Sequence, residues 1–309
     1  MFKGSAMFHG SIVALVTPFK KGKVDFDAFQ QLVEWHVASG THGLVPCGTT
    51  GETPTLSEAE HKRLIDACVE AARGRVPVIA GAGSNATAKS VDLARHAEKS
   101  GAEGILVVTP YYNKPTQEGL FQHFKAVNDA CGLPIIAYNV PGRTGVEISV
   151  ETVIRLATLK RLVGIKDASV DLSRPLQLRV ALGPDFIQLS GEDATVAAYL
   201  AQGGHGCISV TANVAPKLCA ALHNQWIKKD FKSFEKTRDM LSPLHKALFI
   251  ETSPSPAKYC LARLGKCSEE LRLPLVPVTA PTRQKLDEAM EFAGIFKVGK
   301  KLLKKAGRR

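Results

Sequence analysis

Short apolar runs in this chain end at nearly constant spacing, and that spacing limits the available folds more than any other feature. Branched, strand-like runs close near Tyr112, Tyr138, Lys166 and Gly191, at intervals of 26, 28 and 25 residues. Between and around them lie stretches of helical period at 87–100, 117–130, 150–159, 171–182 and 194–202. Upstream, strands at 10–17, 43–46 and 77–80 alternate with helices begun at Asp25 and Ser57. Ser57 with Glu60 three residues on forms a capping-box pattern. With strands at 104–108, 134–138, 161–165, 186–190 and 206–210, the βα unit recurs about eight times. That repeat predicts a (β/α)8 TIM barrel in the α/β class. An open doubly wound sheet would place a glycine-rich phosphate turn after its first strand, and 18–22 carries none.

Beyond about Pro216 the strand pattern stops, and helices are expected at 216–226, 231–249, 255–265 and 282–296. Pro254, Pro256, Pro274, Pro277 and Pro281 punctuate the joins. The expected division is an N-terminal extension (1–7), the barrel (8–215), a C-terminal helical appendage (216–296) and a basic tail (297–309). Met1-Phe2-Lys3-Gly4-Ser5 is nearly repeated by Met7-Phe8-His9-Gly10-Ser11, which makes Met7 an alternative start.

Charge first suggests a nucleic-acid partner, since the formal net charge is +11. Seven of those charges sit in 297–309, which has no acidic residue, so the rest of the chain carries +4. Ile295, Val298 and Leu302 fall at helical spacing among the lysines, but a solvated terminus is the favoured reading of this tail. The body has no basic stripe interleaved with aromatics, so no nucleic acid is expected. No apolar run approaches a bilayer-spanning length, and 1–8 lacks the apolar core of a secretory signal. The seven cysteines are scattered, without a Cys-x-x-Cys pair, which argues for reduced thiols and a cytoplasmic protein. Cys47 reads as a small buried hydrophobe.

In such a barrel, chemistry sits at the C-terminal ends of the strands. The residues there are unusual: Thr49 and Thr50 after the second strand, Tyr111 and Tyr112 after the fourth, Tyr138 ending the fifth with Arg143 beyond it, and Lys166 ending the sixth. A lysine held against apolar walls loses hydration of its ammonium form, and free amine becomes available to attack a carbonyl. The alternative is a lysine that leaves the strand end to pair with a carboxylate such as Asp167. Tyrosine and threonine hydroxyls relay protons, and arginine grips carboxylates. Convergence of all of these on one barrel mouth favours Schiff-base chemistry on a keto acid.

Several segments carry a resemblance. Gly48-Thr49-Thr50-Gly51-Glu52, Thr109-Pro110-Tyr111-Tyr112-Asn113, Tyr138-Asn139-Val140-Pro141-Gly142-Arg143-Thr144-Gly145, Gly164-Ile165-Lys166-Asp167 and the run from Gly206 to Asn213 resemble signatures of the pyruvate-dependent class I aldolase/lyase superfamily. The resemblance covers roughly 8–296 and is strongest to members that condense pyruvate with L-aspartate 4-semialdehyde in diaminopimelate and lysine biosynthesis. It implies Lys166 as the Schiff-base residue and Tyr138 as general acid/base, relaying protons with Thr49 and with Tyr112 supplied across a subunit interface. Thr50 would bind the pyruvate carboxylate, Gly191 and Ile208 would line the pyruvate site, and Arg143 would hold the aldehyde's carboxylate. No metal or organic cofactor is implied, and the usual assembly is a homotetramer built as a dimer of dimers. Asp167 stands where glutamate is common, and Val170 where glycine is common.

Lysine-inhibited members bind the inhibitor in a cleft at the dimer interface. There this chain keeps Asn85, His61 and Tyr111, but Lys89 replaces the glutamate that would pair with the inhibitor's ammonium. Feedback by lysine is therefore expected to be weak or absent. Two other readings compete. One is an N-acetylneuraminate or keto-deoxy sugar acid lyase, which generally lacks the Arg143 loop and the Tyr111-Tyr112 pair. The other is a non-catalytic binding paralogue, which intact Lys166, Tyr138, Thr49 and Arg143 disfavour.

Overall fold

The computed structural model describes residues 8–296. The N-terminal extension with its alternative start and the basic tail with Val298 and Leu302 lie outside the described residues. Eight parallel strands form the centre: β1 (Gly10–Ala14), β4 (Gly43–Val45), β5 (Ile79–Gly81), β6 (Gly104–Val108), β7 (Ile135–Asn139), β8 (Leu162–Asp167), β9 (Ile187–Ser190) and β10 (Gly206–Ser209). They pair in the order β4-β1-β10-β9-β8-β7-β6-β5. The parallel bridge Leu44–Val78 joins the two end strands and closes the barrel. The predicted barrel is therefore met.

Helices return the chain between strands: α1 (Phe26–Ala38), α2 (Glu58–Ala72), α3 (Thr87–Ser100), α4 (Gln117–Ala130), the single turn α5 (Pro141–Thr144), α6 (Val150–Leu156), α7 (Arg174–Leu182) and α8 (Val196–Ala201). The eighth unit is completed by α9 (Pro216–Ile227), which packs beside β1, so residue 215 separates the last strand from its helix. Then α10 (Phe231–Ala247), α11 (Ser255–Arg263) and α12 (Ala280–Phe292) pack on one another and, through α9 and α11, on the barrel. At α2 the Ser57 hydroxyl accepts from Glu60 N while Glu60 accepts from Ser57 N. Such a cap stabilises a helix by about 1 kcal/mol.

Several local features differ from expectation: β1 ends at residue 14 rather than 17, and α12 spans Ala280–Phe292 rather than 282–296. A small antiparallel hairpin, β2 (Phe19–Lys20) with β3 (Lys23–Val24), follows β1 where no strands were expected. Helix α7 begins at Arg174 rather than at 171, because the Asp171 carboxylate accepts from Ser173 N and Ser173 Oγ and holds 171–173 in a turn. Val170, just before it, has φ 68°, the left-handed conformation that the common glycine would adopt freely. For a β-branched side chain that conformation costs about 1–2 kcal/mol.

Strand alternation sorts the core into two layers. Ile12, Val45, Ile79, Leu106, Ile136, Ile187, Leu189 and Ile208 form the inner cluster, with Phe8 closing its lower end against Gly104. Val13, Leu44, Ile105, Val107, Ala137 and Ile165 belong to the outer cluster, which the helices cover.

Five histidines are buried on the helices, and three of them, His36, His123 and His223, have few compensating partners. Burial pushes His36 and His223 down to about 3 and His123 down to about 4. The unfolded chain protonates imidazoles near 6.5, whereas the folded chain keeps these neutral. Their contribution is therefore complete above about pH 6.5 and is lost as pH falls toward those depressed values. At pH 5 the loss should be on the order of 2 kcal/mol per histidine. Urea unfolding at pH 7.5 and pH 5.0 checks this, and equal stability at the two values would contradict neutral burial.

Candidate active site

The ends of β4, β5, β6 and β7 and the loops after them line the mouth of the barrel. After β4, Cys47 adopts φ 55°, and the chain then makes a 3-10 turn at Thr49–Gly51 that ends at Glu52, φ 57°. The Thr53 hydroxyl reaches back to Cys47 O and Gly48 O at 2.5 and 2.9 Å, and Thr17 Oγ1 holds Gly51 O at 2.7 Å. A β-carbon on neighbouring Gly81 would collide with Cys47 O, so glycine is required for this close approach. Cys47 itself is buried, and burial pushes its thiol up, which makes it a packing residue rather than a nucleophile. Thr49 is half-buried and lines the cavity, whereas Thr50 is buried and does not line it.

Parallel register places Tyr138 of β7 directly beside Lys166 of β8. Lys166 Nζ lies 4.1 Å from the centroid of the Tyr138 ring, and the lysine is 6% exposed. Asp167, the next residue, turns to the other face of the strand. Its Oδ2 accepts from Arg174 Nε at 2.8 Å, and Asn139 Nδ2 and Ser169 N bind its Oδ1. The carboxylate that could have neutralised Lys166 is thus committed to Arg174. Among the described residues, Lys166 has no ion pair. Gly191 leaves room for the lysine stem, since a β-carbon there would sit 3.1 Å from Lys166 Cε and 2.6 Å from Ala168 Cβ. Ile208 lies in the inner core layer with Tyr138.

Tyr138 also lines a cavity of about 210 Å³, together with Thr49, Tyr111, Val140, Arg143 and Thr144, whereas Lys166, Thr50, Gly191 and Ile208 are not among its lining residues. It suits a small keto acid better than an extended ligand. Arg143 rides on α5, is exposed to the cavity, and one of its terminal nitrogens donates to Ser253 O at 3.4 Å. Tyr112 does not line the cavity: it is 90% exposed, with φ 70°. Beside Tyr111, Asn113 Nδ2 donates to Asn85 O at 2.9 Å. His61 is buried, with Nε2 bonded to Gly81 O at 2.7 Å. Burial lowers its proton affinity, and the nearby Lys89 charge lowers it further. Lys89 itself is exposed on α3.

Sequence reading singled out neither Asp193 nor Lys258. Asp193 is buried and binds Ser209 Oγ, Val210 N and Thr211 N, which fixes the end of β10 beside Ile208. Lys258 on α11 reaches Glu52 of the threonine turn at 2.6 Å. For Lys258 the only local signal was a charge within the otherwise apolar run 256–261, and Asp193, beside Glu192, carried none.

Residues 7–293 match the family model described as the dihydrodipicolinate synthetase family. The chain belongs to the dihydrodipicolinate synthetase family. The match runs past the end of α12, so the C-terminal helices are part of the family unit together with the barrel. A 4-hydroxy-tetrahydrodipicolinate synthase of Rhodospirillum centenum is 60% identical over 290 residues, 94% of this chain and all of that protein. The pyruvate-complexed dihydrodipicolinate synthase of Acinetobacter baumannii superposes with a TM-score of 0.91 at 45% identity, covering 93% of this chain and 99% of its own. A lysine-bound enzyme of the same family from Cyanidioschyzon merolae also gives 0.91, at 37% identity, over 94% of this chain and 99% of its own.

Proposed function

We propose that this chain condenses pyruvate with L-aspartate 4-semialdehyde to 4-hydroxy-tetrahydrodipicolinate through a Schiff base on Lys166, a step of diaminopimelate and lysine biosynthesis. The observation that carries the reading is the Lys166 amine, buried against the Tyr138 ring while its neighbour Asp167 is bound to Arg174. Nζ attacks the keto carbon of pyruvate, and the carbinolamine loses water to give an iminium. Loss of a methyl proton then gives an enamine, whose carbon attacks the aldehyde. The substrate's amine finally displaces Nζ and closes the ring.

In this scheme Tyr138 moves protons to and from the carbinolamine oxygen, with Thr49 on the same cavity wall. Thr50 binds the pyruvate carboxylate, Gly191 and Ile208 shape its pocket, and Arg143 holds the carboxylate of the second substrate. Tyr112 completes the relay from an adjacent subunit of a homotetramer. Its exposure and left-handed backbone support that reading, since strained residues held at a surface are commonly functional. No helix among the described residues is long and apolar enough to cross a membrane, and the seven cysteines are free, which fits the proposed cytoplasmic location. Treatment with pyruvate and borohydride, followed by mass spectrometry, tests the class: a reduced pyruvate adduct is expected on the Lys166 peptide. Adduct elsewhere, or none, would reject the scheme. Pyruvate consumption that depends on aspartate semialdehyde separates this enzyme from sugar-acid lyases.

Regulation follows from Lys89. Its ammonium at the cleft formed by Asn85, His61 and Tyr111 repels the ammonium of lysine, where a carboxylate would attract it. Exchanging one for the other changes the interaction by several kcal/mol before full screening. Half-inhibition is expected only at roughly tens of millimolar L-lysine on this screened estimate. An inhibition series reads it directly, and Lys89→Glu should gain sensitivity. Submillimolar half-inhibition of the unaltered chain would show that other contacts dominate.

A further inference from the structure

The threonine turn is held from a distance. Lys258 Nζ lies 2.6 Å from Glu52 Oε1, with side-chain exposures of 0% and 1%. The two residues are 206 apart in the chain. Burying two charges is an expensive way to stabilise a fold, and well-packed apolar residues of similar size usually do as well or better. What an ion pair adds is directional constraint, and here the constraint falls on the residue that ends the Thr49–Gly51 turn.

Glu52 has φ 57°, and its side chain caps neither the turn before it nor the turn at Thr53–Thr55. Both of its oxygens are instead occupied by the C-terminal region, Oε1 by Lys258 and Oε2 by Arg272 N at 3.1 Å. The far end is equally fixed. Lys258 also donates to Glu270 O at 2.6 Å and sits 4.2 Å over the Phe19 ring of the β2–β3 hairpin. The Glu270 carboxylate accepts from Lys21 N and Gly22 N at that hairpin's turn. Arg272 reaches Thr55 O and the Glu60 carboxylate at the start of α2. The hairpin, the segment after α11 and the catalytic turn therefore meet at one buried ammonium.

We infer that Lys258 is a positioning residue for the condensation: through Glu52 it holds the Thr49–Gly51 turn so that Thr49 and Thr50 face the pyruvate bound beside Tyr138. This rests on the proposed roles of Thr49 and Thr50. Lys258→Met in the full chain leaves Glu52 without its cation and frees the turn. Borohydride trapping counts the sites that still form the adduct, and kcat is expressed per trapped site. That value should fall about 10- to 100-fold, the scale of a misplaced catalytic group, with a raised KM for pyruvate. The KM for the aldehyde should change less, because Arg143 is carried by a different loop and meets the segment before α11 only through Ser253 O at 3.4 Å. A merely structural lysine would lower the trapped fraction and leave kcat per trapped site unaltered, and that result overturns the inference.

Where Lys258→Met does not fold, the double variant Glu52→Gln with Lys258→Met removes both charges and keeps an acceptor for Arg272 N. A folded double variant should remain at least about 10-fold impaired per trapped site by the same positional argument, and recovery of normal turnover overturns the inference. Thr49→Val separates the two layers of the argument. Undiminished turnover in that variant removes the relay reading and this inference with it. Impaired turnover there, with normal turnover in Lys258→Met, overturns the positioning role alone.

Discussion

Lys166→Arg is expected to eliminate the pyruvate adduct and bring turnover close to background. Guanidinium stays protonated at any working pH, so it cannot supply the electron pair that attacks the keto carbon. Its size adds a second obstacle, because Gly191 and Ala168 leave space shaped to a narrow lysine stem. Losses of a covalent nucleophile are on the order of 10⁴- to 10⁶-fold in kcat, and the residual rate belongs to binding alone. Trapping with borohydride and mass spectrometry of the Lys166 peptide should show no mass increase. Turnover within about 100-fold of the unaltered enzyme, far short of such losses, would move the nucleophile to another residue.

Tyr138→Phe should produce the second-largest effect. The substitution removes one hydroxyl and keeps the ring, which packs in the inner core layer with the Lys166 amine 4.1 Å from its centroid. The fold and the lysine's position should therefore survive. Loss of a positioned general acid/base lowers turnover by about 10²- to 10⁴-fold. Adduct should still form on Lys166, but slowly, because carbinolamine collapse now depends on water or on Thr49. Equal rates of trapping in the two proteins would leave Tyr138 as a wall of the pocket, without a proton to move.

The two variants probe different kinds of information. Lys166 was legible because an amine closing an apolar strand is chemically conspicuous, and its neighbours repeated the pattern at the same barrel end. Tyr138 was legible only together with it. Their adjacency depends on parallel register between β7 and β8, which strand spacing implies but does not determine. The competing possibility, that Lys166 pairs with Asp167, was settled by alternation along β8 and by Arg174 arriving from α7. Arg174 is seven residues downstream, and nothing in its local sequence announced that partner.

Local rules carried most of the architecture. The regular return of strand and helix predicted the barrel, Ser57 and Glu60 predicted the start of α2, and 87–100 and 117–130 match the observed α3 and α4. These signals reside within a few residues of one another, through hydrogen-bonding rings, side-chain period and caps. The β2–β3 hairpin escaped notice because each of its strands has only two residues. It is held from outside by Glu270 and Ser268, which lie about 250 residues away.

By itself the sequence determined that eight βα units close into a barrel, and that a lysine, a tyrosine, threonines and an arginine gather at its C-terminal mouth. Only the tertiary structure decided that Asp167 is taken by Arg174, that Tyr112 is exposed and does not line its own cavity, and that Lys258 binds the residue ending the threonine turn. The division has one physical reason. Backbone geometry and hydrophobic period are properties of neighbouring residues, whereas the partner of a buried charge is whichever opposite charge the folded chain brings within reach.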